Sequence, residues 1–102
     1  MERKSNNQQL NIQFHDRAGE AMQVLYREFI YCTASLDRQR DENVFQQQQG
    51  KYTALLKHRL DRIALELMES LETDADHNTW NLTVSRFIQD YLSEFGQKIR
   101  SL

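Results

Sequence analysis

The sequence predicts an all-α fold: an antiparallel helical hairpin joined by a third, aromatic-rich amphipathic helix, either as a three-helix bundle or exchanged in an intertwined homodimer. Three observations predict it. Among 102 residues there is no proline and only three glycines, so the residues that punctuate sheets and tight loops are missing. Apolar residues recur at steps of three and four along most of the chain, which places them on one face of a helix. A hydrophobic fraction of 39% beside a charged fraction of 27%, with mean hydropathy of -0.78, suits long helices that bury a narrow stripe.

Residues 1–11 read as a polar, flexible tail, since Arg3, Lys4, Ser5, Asn6, Asn7, Gln8 and Gln9 offer nothing to bury. The remaining residues, 12–102, form a single helical domain. The first helix is expected over about 13–39, on the series Phe14, Ala18, Ala21, Met22, Leu25, Phe29, Cys32, Thr33 and Leu36. A turn near Arg40 to Asn43 then breaks the chain, within a Gln- and Arg-rich stretch that also suits a continuous polar helix. The second helix, over about 44–72, carries Tyr52, Leu56, Leu60, Ile63, Leu67 and Leu71 at steps of 4, 4, 3, 4 and 4. Glu72 to Asn78 is rich in residues that favour caps and turns, and reads as a linker. The third helix, over about 79–100, is capped by Asn78 or Thr79 and carries Trp80, Val84, Phe87, Ile88, Tyr91, Leu92, Phe95 and Ile99. Gly96 is a place where it could end early.

Charge and cysteine usage narrow the function. Thirteen Lys and Arg against fifteen Asp and Glu give a net charge of -2, which argues against a nucleic-acid binder held by bulk positive charge. One cysteine, Cys32, closes no internal disulfide, and the first residues lack the apolar core of a signal peptide. No window reaches the roughly 18 apolar residues of a membrane span. An intracellular, soluble protein is the expectation, with no membrane role.

Residues that could carry chemistry are sparse. His15, His58 and His77 are isolated, and Asp74, Asp76 and His77 fall where caps are expected, so no metal and no cofactor are foreseen. Cys32 lies on the stripe of the first helix between Phe29 and Leu36, which predicts core packing rather than nucleophilic chemistry. Glu66, Glu69 and Glu72 step by three without a cleft around them, and the separated glycines make no phosphate-cradling loop. No catalytic residue is assigned, and no enzyme is expected.

Two surfaces stand out. Val24 and Tyr31 project opposite the first stripe, and Leu55 and Leu65 point away from the second, so these four are the candidate protein interface. Tyr31 is its best anchor. Arg38, Arg40, Lys57, Arg59 and Arg62 form a candidate basic patch, largely neutralised by neighbouring acids such as Asp61 and Glu66. The function these features predict is a non-catalytic interaction domain: a small adaptor or regulatory subunit binding another protein, itself, or both through its outer helical faces. The alternative is a dimeric regulator associated with nucleic acid through the basic patch.

Overall fold

In the computed structural model, three helices pack against one another: α1 (Glu2–Thr33), α2 (Glu42–Met68) and α3 (Asp74–Arg100). The structure describes residues 2–102, with side chains from Gln8 onward, and no strand occurs among the described residues. The molecule is a rod of 56 × 19 × 18 Å.

α1 begins earlier than its apolar pattern announces. Residues 2–11, read as a polar tail, belong to the helix; Met1 and the side chains of residues 2–7 lie outside the described residues. Leu10 is buried, and it extends the stripe of Phe14, Ala18, Ala21, Met22, Leu25 and Phe29 one turn toward the N-terminus. With that anchor in place each preceding residue adds one backbone hydrogen bond, and neither proline nor glycine interrupts.

The same helix stops sooner than the expected residue 39. Thr33, its last residue, donates its hydroxyl to the Phe29 carbonyl at 2.7 Å, and Leu36 N–H bonds back to the Thr33 carbonyl. Two aspartates then close the loop. The Asp41 carboxylate accepts from Asp37 N–H at 3.0 Å, and the Asp37 carboxylate accepts from Gln39 N–H at 2.9 Å. The turn therefore spans residues 34–41 rather than Arg40 to Asn43, because local side-chain bonds of Asp37 compete with helical ones.

Cys32 differs from its expected place. It is exposed rather than in the core, with Sγ 3.2 Å from the Tyr52 hydroxyl at the edge of the α1–α2 seam. The stripe drifts as the helix advances, so Phe29 and Thr33 keep the buried line and Cys32 slips to its margin.

α2 buries Phe45, Tyr52, Leu56, Leu60, Ile63, Ala64 and Leu67. It ends at Met68, and the linker is only residues 69–73, because the acids expected in the linker form the first turn of α3. Thr73 is the N-cap: its side-chain oxygen accepts from Asp76 N–H at 3.1 Å, with Asp74 and Asp76 at the positive end of the helix dipole. Asn78 and Thr79 are thus inside the helix. His77 Nε2 donates to the Leu71 carbonyl at 2.7 Å and ties this turn to the end of the linker.

α3 runs through Gly96 to Arg100. Phe95 and Ile99 on either side of the glycine are fully buried, and their burial outweighs a glycine penalty of about 1 kcal/mol. Lys98 and Arg100 occupy the negative end.

α1 and α2 meet through Arg17 and Glu66, Phe29 and Phe45, and Cys32 and Tyr52. α1 and α3 meet through Phe14 against Trp80 and Phe87, and Tyr26 against Phe95. Phe14 is fully buried, edge-on to Trp80 and stacked with Phe87, each at a centroid distance of 6.0 Å. Trp80 fastens α3 to α2 by donating its indole N–H to the Ala64 carbonyl at 2.9 Å. α3 thus packs against both α1 and α2.

Candidate functional site

The surface between α1 and α2 is the site these elements build. On α1 the residues Arg17, Glu20 and Val24 follow one another at steps of three and four, and on α2 Arg59, Arg62 and Glu66 do the same. The two rows form the lips of a groove of about 330 Å³ whose base includes buried Ala21 and Ile63. Arg17 bridges the groove by donating to the Glu66 carboxylate. That hydrogen bond and the charge of Arg17, with Arg62 one turn away, hold the Glu66 carboxyl below its ordinary value. Both partners are half exposed, so the bridge orients the lips more than it stabilises the fold. Arg59 and Arg62 make no ion pair among the described residues.

The expected interface is partly assembled. Val24 lines the groove and is 37% exposed. Tyr31, seven residues on, lies within about 20° of the same direction and is 86% exposed. Leu55, one turn before Arg59 and 41% exposed, continues the α2 lip. Leu65 is also exposed, but it lies about 100° around α2 from Glu66 and faces away from the groove.

The expected basic patch is divided. Arg59 and Arg62 are in the groove. Lys57, on another side of α2, pairs with Asp61 at 2.9 Å. Arg38 stacks over the Phe45 ring at 4.6 Å and donates to the Leu102 carbonyl, and Arg40 is exposed in the loop. No single surface gathers all five, because residues 38 and 40 lie in the loop of residues 34–41 while Arg59 and Arg62 line the groove and Lys57 lies on another side of α2.

A second concavity was not foreseen from the sequence. His15 of α1 and Phe87, Asp90, Tyr91 and Glu94 of α3 line a cleft of about 150 Å³. The Tyr91 hydroxyl is 2.8 Å from His15 Nδ1, and the His15 and Phe87 rings are 4.5 Å apart. Burial, with Glu94 and Asp16 nearby, pushes the Tyr91 phenol up. The interleaving of Phe87 and Tyr91 with Asp90 and Glu94 was the available signal; the place of His15 required the tertiary fold.

Among the described residues no three His, Cys, Asp or Glu side chains converge as a metal site would require, and no helix is long and apolar enough to cross a membrane. No family model, curated protein or solved structure matches this chain. The geometry therefore defines a three-helix bundle with an open interhelical groove, and the functional reading rests on that groove.

Proposed function

We propose that this chain is a non-catalytic protein-interaction domain, a small adaptor or regulatory subunit. In this reading α1 and α2 form an antiparallel hairpin, braced by α3, and their groove receives a helix of another protein or of a second copy. The observation that carries it is exposed Val24 on the lip of a groove with an apolar base, with exposed Tyr31 and Leu55 continuing the two lips at helical spacing. Tyr31 supplies a large, rigid anchor. The arginine lips add charge that selects and orients the partner.

The test is a photo-crosslinking residue placed in turn at positions 24, 31, 55 and 65, with adducts identified by mass spectrometry and self-association followed by light scattering. Adducts at 24, 31 and 55 on one partner, absent at 65, are the expected result. Adducts distributed equally over all four positions, or confined to 65, contradict it. A second reading, contact with nucleic-acid phosphates, rests on Arg59 and Arg62, which make no ion pair among the described residues. It requires affinity that falls steeply with salt, and loss of binding in R59Q/R62Q.

A further inference from the structure

We propose that the cleft between α1 and α3, formed by His15, Phe87, Asp90, Tyr91 and Glu94, receives the guanidinium of an arginine presented by a protein partner. It lies on a different side of α1 from the groove described above, so the two sites stand or fall separately. The walls are aromatic and the rim is acidic. Asp90 and Glu94 are one turn apart on the same face of α3, the spacing at which two side chains are neighbours about 5–6 Å apart. Neither makes an ion pair among the described residues. Of the nearby cations, Lys98 sits 5.4 Å over the Tyr26 ring, and Arg86 lines the adjoining depression with Leu82, Thr83 and Phe87 and makes no ion pair with Asp90.

The aromatic walls are held in place before any ligand arrives. Phe87 is stacked on fully buried Phe14, and the Tyr91 hydroxyl is held by His15. Such rings lose little freedom on binding. A cation over their faces is attracted by the ring quadrupole, and removal from water strengthens that attraction. The raised phenol of Tyr91 stays neutral through the physiological range, as a hydrogen-bonding wall of the cleft requires.

Guanidinium fits better than ammonium for three reasons. It is planar and stacks on a ring, its fork can donate to two carboxylates on opposite edges, and it is more weakly hydrated. A cleft of about 150 Å³ has room for one side chain, not for a folded ligand, which points to a residue projecting from a partner's surface.

The probe is the capped tripeptide glycyl-arginyl-glycine, with lysine and citrulline counterparts, titrated into the full chain at low salt while the aromatic and backbone NMR signals are followed. The arginine peptide is expected to give saturable shifts centred on His15, Phe87 and Tyr91. The lysine peptide should bind about two- to fivefold more weakly. The citrulline peptide, neutral but of the same shape, should give no saturable shift. D90N and E94Q, both on the exposed face of α3, should each weaken arginine binding while the circular dichroism spectrum is unchanged; Y31D, in the other site, should leave it intact. Equal binding of citrulline, shifts centred elsewhere, or undiminished binding in D90N and E94Q overturns the proposal. Equal binding of lysine overturns the guanidinium assignment.

Discussion

Phe14→Ala tests the packing on which the bundle and the acidic cleft both depend. Phe14 has no exposed surface and touches the rings of Trp80, Phe87 and Tyr91 from α3. Truncation to alanine removes about 130 Å² of buried apolar area, worth about 3 kcal/mol at 25 cal/mol per Å². Each aromatic pair adds about 0.5–1.5 kcal/mol beyond its area, and long helices held on both sides collapse only partly into the space. The expected loss is about 3–5 kcal/mol, against a total of about 5–15 kcal/mol for a domain of this size. With a urea dependence near 1.5 kcal/mol per M, the unfolding midpoint should fall by about 2–3 M. Far-ultraviolet circular dichroism during urea titration measures it, and Phe14→Leu provides the conservative comparison at about 1–2 kcal/mol. A midpoint shift below about 0.5 M in Phe14→Ala would refute the claim that this ring joins α3 to α1.

Five other expectations follow from separate contacts. Trp80→Phe removes the indole donor to Ala64 along with some buried area, and should cost about 1–3 kcal/mol by the same titration. Thr73→Ala removes the α3 N-cap and should cost about 1 kcal/mol, with faster amide exchange confined to the first turn of α3. Gly50→Ala should raise stability by about 0.5–1 kcal/mol, because Gly50 is exposed within α2 and an added Cβ meets nothing within 4 Å. Two titrations follow from the ion pair and the thiol contact. The Glu66 carboxyl is lowered in the folded state, so its contribution is present above the ordinary value of 4.5 and is lost as pH falls through the lowered one; Arg17→Gln should return its NMR midpoint toward 4.5. Tyr52 is pushed up to about 12, first by the Cys32 hydrogen bond and then by burial, so the neutral phenol is favoured in the fold and stability declines between pH 10 and 12. Absorbance at alkaline pH should show Tyr52 ionising last, and earlier in Cys32→Ala.

Local rules read some boundaries correctly and misplaced others for identifiable reasons. The stripe from Tyr52 to Leu67 was legible because its period leaves only one face to bury. Glu72 to Asn78 misled because cap-forming residues mark both the end of a linker and the first turn of a helix. Which of them caps depends on where α3 docks, and Thr73 does. Cys32 was misassigned because a strict stripe ignores the drift of a straight helix past its partner. The separation of Arg38 and Arg40 from Arg59 and Arg62 was not legible, because Asp37 and Asp41 fold the first two into a loop. Of the four expected interface residues, exposure was legible from helical position alone. That Val24 shares a groove with Arg59 and Arg62, and Leu65 does not, was not.

The sequence by itself determined that the chain is helical and which residues of each helix are apolar or solvated, since those properties follow from propensity and a period of 3.6 residues. The tertiary structure alone decided which faces adjoin. A helix carries its pattern within a few turns, whereas the groove between α1 and α2 and the cleft of His15 with Phe87 and Tyr91 join residues 35 to 79 positions apart. Their meeting depends on how large side chains such as Phe14 and Trp80 set the rotation of one helix against another, a packing constraint that no local stretch of sequence contains.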